Sequence, residues 1–89
     1  MDEQLITSIQ QAQTDQELDQ LTDRYREYVL TAYPTFRMHY GFSEDLHEGR
    51  YSRALDDVKR AAIGRGDRYQ DVIRVLELAV EKHLALIKE

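Results

Sequence analysis

Residues that could perform chemistry are few in this 89-residue chain. Two histidines, His39 and His47, lie close in sequence to the acidic residues Glu44, Asp45 and Glu48. A metal site would need these donors at a recognised ligand spacing, and this spacing matches no known pattern. The acids also fall at the start of a candidate helix, where negative charge suits the helix dipole. The sequence therefore predicts no bound metal and no other cofactor.

Candidate catalytic groups are equally sparse. The chain has no cysteine, which excludes thiolate nucleophiles and disulfides. Ser8, Ser43 and Ser52 lie outside any strained nucleophile motif. Asp56 and Asp57 are adjacent, so on a helix their side chains point about 100° apart and cannot share one proton. These observations favour a protein that is not an enzyme and that has no small-molecule substrate.

The most informative feature is an aromatic segment at residues 33–42. Its large apolar residues, the candidate partner-binding residues, are Tyr33, Phe36, Met38, Tyr40 and Phe42. From Phe36 onward they alternate with polar residues and glycine, which is the period of a strand, and a lone strand needs a partner's edge. The alternative is a turn or short helix whose aromatic rings close the end of the core. Because the helical stripes already supply enough apolar residues for a core, we expect part of the segment to stay exposed and to contact a second chain.

A second candidate site is the glycine turn. It reads Ile63-Gly64-Arg65-Gly66, and Ile73 follows seven residues after the second glycine. This pattern resembles the turn of helix-hairpin-helix nucleic-acid modules. The resemblance implies that the turn amides and the start of the next helix bind a backbone phosphate. The candidate phosphate-binding residues are Gly64, Arg65, Gly66 and Arg68. Ordinary helix capping by glycine is the alternative interpretation.

Both segments lie between stretches of helical periodicity. The first predicted helix spans residues 3–13, and a capping box at Thr14–Glu17 begins the second, which Pro34 stops. The third begins at a Ser43 cap and ends at the glycine turn, with Gly49 bending its start. Asp67 caps the fourth, which has the widest apolar stripe.

These elements predict an all-α fold: a small antiparallel helical bundle of three long helices plus a short N-terminal one. The aromatic segment forms an irregular stretch between helices two and three, and residues 1–89 make a single domain. Predicted core residues are Leu55, Val58, Leu76 and Val80. Gly64 or Gly66 is expected to have positive φ, and its replacement by valine to destabilise the domain more than the same change at Gly49. His83 is expected to be partly buried with one hydrogen-bond partner.

Charge and hydropathy limit the partners. The net charge is −5, which argues against a dominant nucleic-acid or anionic-membrane surface. Basic residues outnumber acidic residues only in residues 50–74. This region either packs beside the acidic first third of the chain, with exposed ion pairs, or forms an anion-binding face. No apolar run is long enough to cross a bilayer, and the acidic start is unlike a signal peptide.

The sequence therefore favours a cytoplasmic protein-binding protein of the accessory, inhibitor or regulatory kind, with a protein partner or homodimer. The alternative is a nucleic-acid accessory protein that binds backbone phosphate with the Gly64–Arg68 turn.

Overall fold

The computed structural model describes residues 2–37 and 40–88, and helix accounts for 82% of that part of the chain. The all-α prediction is confirmed, since no strand occurs in the described ranges. The α-helices are α1 (Asp2–Gln11), α2 (Asp15–Ala32), α3 (Tyr40–His47), α4 (Tyr51–Ala62) and α5 (Gln70–Ile87). A single 3₁₀ turn (Pro34–Arg37) separates α2 from α3.

The start of α2 follows its capping box. The Thr14 hydroxyl accepts a hydrogen bond from the Glu17 amide at 3.1 Å. The Glu17 carboxylate reaches back to the Gln13 amide at 3.4 Å, so two amides at the helix start have partners. At the other end α2 stops two residues before Pro34, and the amide of Tyr33 still bonds the Val29 carbonyl at 2.7 Å.

The predicted third helix is wrong, because the chain forms two helices there, α3 and α4. Gly49 has φ +77°, the Arg50 amide bonds the Asp45 carbonyl at 2.7 Å, and the Gly49 amide bonds Leu46 at 3.2 Å. This pair of bonds is a Schellman motif, which ends α3 and turns the chain. Ser43 is not a cap, since α3 starts at Tyr40 and the Ser43 hydroxyl accepts a hydrogen bond from Arg26 at 3.1 Å.

The glycine turn between α4 and α5 is longer than predicted. Gly64 and Gly66 both have positive φ, +78° and +64°, which confirms that prediction, and Gly49 has positive φ as well. Helix α5 starts at Gln70, after a cap position at Tyr69 that makes no side-chain capping bond. Asp67 is therefore part of the turn and does not cap α5.

The core lies between all five described helices and the 3₁₀ turn. Val58 and Leu76 are fully buried, as predicted, whereas Leu55 and Val80 pack against the core but are only partly buried. Helix α4 contacts both α3 and α5, and α5 also contacts α1 and α2. Helix α5 therefore has a central position among the described elements.

Candidate functional site

The aromatic segment is part of the core. Phe36 and Phe42 are 1% and 0% exposed, so the expectation that these two rings stay accessible to a partner is wrong. The strand interpretation is also wrong, because Phe36 lies in the 3₁₀ turn and Phe42 in α3. The ring centroid of Phe36 lies 5.0 Å from that of Phe42 and 4.8 Å from that of Tyr69. Both rings are therefore packed inside the domain, and Phe36 also contacts the residue that precedes α5.

The other members of the predicted partner-binding set differ in position. Tyr33 is half-buried, with its ring 5.4 Å from that of Tyr69 in an edge-to-face arrangement. Met38 and the side chain of Tyr40 lie outside the described residues, as does His39 of the metal hypothesis. Of this set, only Tyr33 has a described and partly exposed side chain, so the segment as described here is mainly a structural element.

The glycine turn brings its four predicted residues into one exposed loop. Gly64, Arg65, Gly66 and Arg68 are all exposed. The Arg65 guanidinium donates to the Ala61 carbonyl at 2.7 Å, which satisfies an acceptor at the end of α4. The Arg68 guanidinium lies 5.9 Å from the centre of the Tyr69 ring. Both arginines thus have local partners that support the turn, in agreement with the capping interpretation.

The described histidines bond carboxylates. His83 is partly buried, as predicted, with Nδ1 3.1 Å from Asp15 Oδ1 and its ring 5.2 Å from that of Tyr51. His47 Nδ1 lies 3.2 Å from Asp23 Oδ1. Within residues 2–37 and 40–88, no group of three or more histidines and acids is arranged to hold a metal ion.

A buried tyrosine joins α4 to α2. Tyr51 is 2% exposed, and its hydroxyl donates to the Asp19 carboxylate. Burial raises the pKa of Tyr51, and the bond to Asp19 adds to the effect. The hydroxyl therefore stays protonated and keeps its role as a donor near neutral pH.

Two carboxyls that sequence reasoning did not connect come together between α3 and α4. Asp45 lies on α3 and Asp57 on α4, with side chains only 14% and 11% exposed. Both line a small cavity of about 240 Å³, and each carboxyl shifts the pKa of the other. The Schellman turn at Gly49 creates this contact, because it folds α4 back against α3. Asp57 thus shares this cavity with Asp45 of another helix as well as with its sequence neighbour Asp56.

The two carboxyls have opposite pKa shifts. Burial, followed by the neighbouring Asp45 carboxyl, raises the pKa of Asp57 to about 6. The hydrogen bond with Asp57 lowers the pKa of Asp45, and so does Arg50, whose Nε donates to Asp45 Oδ1 at 2.8 Å. This is the behaviour of two acids that hold one proton between them, with Asp57 as its site. The sequence signal that could have revealed the pair is Gly49, which lies four residues after Asp45 and eight before Asp57. If Gly49 is read as the end of a helix, the two acids fall on two successive helices that can pack together.

Of the large apolar side chains on the described helices, the two most exposed lie at the end of α5. Leu84 is 48% and Ile87 is 57% exposed, and the two stand three residues apart on one side of the helix. Both lie beyond the position on α5 that the start of α4 contacts. Tyr51, the first residue of α4, contacts His83, and α5 continues beyond that point. We call residues 84–87 the α5 end.

Comparison of the sequence with models of known families, with characterised proteins and with solved structures finds no match. Among the described residues, none of the helices has the length and apolar character needed to cross a membrane. The geometry of the chain itself is therefore the basis for any functional assignment.

Proposed function

We propose that this protein acts non-enzymatically, by binding another protein through the α5 end. The observation that supports the proposal is the exposure of Leu84 and Ile87, side by side on a helix that otherwise supplies the centre of the core. Apolar side chains grouped in this way on a surface commonly mark a site of protein contact.

The lengths of α4 and α5 explain why this surface exists. We infer that these two helices run antiparallel, as in the predicted bundle, since the first residue of α4 contacts His83 near the end of α5. Helix α5 has 18 residues and α4 has 12. Since Tyr51 contacts His83, residues 84–87 of α5 extend past the start of α4, and at a rise of about 1.5 Å per residue these four residues span roughly 6 Å.

The last turns of α5 are nevertheless attached to the domain. Leu86 packs against the core, and Lys82 Nζ donates to the Gln10 carbonyl of α1 at 2.8 Å. The α5 end is therefore a helical surface held on one side by the protein and exposed on the other. A partner helix with a complementary apolar stripe fits such a surface.

The experiment compares a double variant, Leu84→Gln with Ile87→Gln, with the wild type. Light scattering over a range of concentrations detects binding to a second copy, and cross-linked affinity capture from the native cell detects binding to a different protein. We expect the double variant to lose the complex or to bind roughly tenfold or more weakly, since each change removes the burial of an apolar side chain, about 1.5–3 kcal/mol when complete, from the interface.

Ile63→Gln is the matched control. Ile63 is 75% exposed in the turn after α4, away from the α5 end, so its replacement removes an equally apolar side chain from another place. The proposal requires this variant to keep the complex. If the double variant is folded, as judged by its thermal melt, and retains every complex, the α5 end is not the binding surface. Absence of any complex for the wild type would contradict the proposed function itself.

A second candidate function is phosphate binding at the glycine turn. The specific observation in its favour is access: no atom comes within 4 Å of the position a Cβ would take on Gly64 or Gly66, and Arg65 and Arg68 are exposed. Fluorescence anisotropy with a short DNA duplex tests this function at about 50 and 200 mM salt, because phosphate contacts weaken steeply with salt. Binding that is lost in Arg65→Gln with Arg68→Gln would support it, and absence of binding at low salt would exclude it.

A further inference from the structure

We propose that Asp45 and Asp57 form a pH-sensitive contact between α3 and α4, in which one shared proton holds the two helices together and its loss weakens their packing.

The Asp57 carboxyl lies against the backbone of α3. A Cβ built on Gly41 would lie 2.8 Å from Asp57 Oδ2 and 3.0 Å from its Cγ, so the carboxyl lies directly on the α3 backbone. Glycine at this position allows that approach. Asp57 Oδ1 accepts from Arg60, but the buried Oδ2 has no hydrogen-bond donor among the described groups.

A proton on Asp57 supplies the hydrogen-bond donor that this pair of carboxyls lacks. Two ionised carboxylates are both acceptors, so they repel and cannot hydrogen-bond to each other. A protonated Asp57 donates to the Asp45 carboxylate, which keeps its own bond to Arg50. A hydrogen bond in which one partner is ionised is about twice as strong as a neutral one. One proton thus converts a repulsive contact between α3 and α4 into an attractive one.

The surrounding charges only partly compensate the ionised pair. The charged groups that face it are Arg50 from the α3–α4 turn and Arg53, Asp56 and Arg60 from α4. Arg60 is 70% exposed, so solvent screens its attraction for Asp57. Asp56 adds further negative charge. No other charged group is described along this cavity.

The direction of the pH dependence follows from the pKa of Asp57. Its pKa in the folded protein, about 6, exceeds the ordinary value of 3.8, so the folded state binds the proton more tightly than the unfolded state does. The stabilisation is therefore complete below the ordinary value and is lost as pH rises through about 6. Asp45 stays ionised in this range because its pKa is lowered. Between pH 7 and pH 5 the unfolding equilibrium constant should fall roughly tenfold through this pair.

The test measures urea unfolding of the wild type and of Asp57→Asn at pH 5 and pH 7. Asparagine has the shape of the protonated acid and a donor that does not titrate. We expect Asp57→Asn to be at least as stable as the wild type at pH 7. We also expect the roughly tenfold fall in the unfolding equilibrium constant from pH 7 to pH 5, which the wild type shows, to be absent from the variant. The difference between the two proteins is the quantity of interest, because it removes the contribution of the histidines.

Asp67→Asn is the control, since its side chain is exposed in the turn between α4 and α5, away from this cavity, and the variant should keep the pH dependence of the wild type. Amide hydrogen exchange in the wild type locates the effect: protection of α3 relative to α5, measured in one sample, should decrease from pH 5 to pH 7. Equal pH dependence in the wild type and Asp57→Asn would overturn the proposal.

Two further measurements keep the proposal testable if Asp57→Asn fails to fold. Asp45→Asn removes the neighbouring carboxyl but not the burial of Asp57, so it should reduce the tenfold difference without abolishing it. Carbon-13 NMR of the Asp57 carboxyl in the wild type follows its titration directly. A midpoint near 6 is expected, and a midpoint near 4 would contradict the shared proton.

Discussion

Replacing Phe36 with alanine tests the role of the aromatic segment more directly than any other change. Phe36 is 1% exposed, and its ring contacts those of Phe42, Tyr69 and Tyr33, with centroids 5.0, 4.8 and 6.2 Å away. These contacts join the 3₁₀ turn to α2, α3 and the residue before α5. If the segment is a structural element, Phe36→Ala leaves a cavity at the point where these elements meet.

The expected cost follows from this burial. Removal of a buried phenylalanine side chain destabilises a protein by about 3–5 kcal/mol, and the lost ring pairs place Phe36 in the upper part of that range. A domain of this size has a total stability of about 5–15 kcal/mol. Since each kcal/mol shifts the melting temperature of a small domain by about 4–8 °C, the loss should be roughly 12–40 °C.

Circular dichroism during heating and urea titration measures this effect. Phe36→Leu keeps most of the apolar volume and should cost clearly less, and Tyr28→Ala removes an aromatic ring that is 38% exposed and should also cost less. A Phe36→Ala protein that melts within a few degrees of the wild type would refute the structural role. In that case the ring would be free to serve a partner, as the sequence first indicated.

Two further predictions concern the core and a turn. Leu76→Ala should lower the free energy of unfolding by about 2–5 kcal/mol, because Leu76 is 0% exposed. Leu84→Ala should lower it much less, because Leu84 is 48% exposed. Similar urea midpoints for the two variants would show that α5 is not central. Gly49→Ala should lower the free energy of unfolding by about 1–2 kcal/mol, since φ at this position is +77°. Gly64→Ala should lower it by a similar amount, since φ there is +78°. An unchanged melting temperature for Gly49→Ala would mean that the Schellman turn does not need its glycine.

Local signals identified most of the helices correctly. The Thr14–Glu17 capping box, Pro34 and the glycine turn each act on the residues next to them, so their effect is visible in a short stretch of sequence. The one large error came from Gly49, which was taken as a bend within a helix. A Schellman motif depends on hydrogen bonds around a left-handed residue, and a single glycine within an apolar pattern is compatible with either outcome.

The error at Gly49 also explains what was missed in the candidate site. A continuous third helix would have extended far enough to cover the α5 end and would have kept Asp45 and Asp57 on one helix. Because the chain turns at Gly49, α4 is short, Leu84 and Ile87 are exposed, and the two carboxyls meet. Both proposed surfaces are therefore consequences of one backbone conformation.

The sequence by itself determined the all-α class, the position of most helix ends and the central place of α5, because periodicity and capping act over a few residues. Only the tertiary structure decided which apolar groups remain exposed. Phe36 and Phe42 are buried and Leu84 is not, although all three are large and apolar. Burial depends on which surfaces distant elements cover, and the pKa of a carboxyl depends on which charges they bring near it. Neither quantity is encoded in the spacing of residues along the chain.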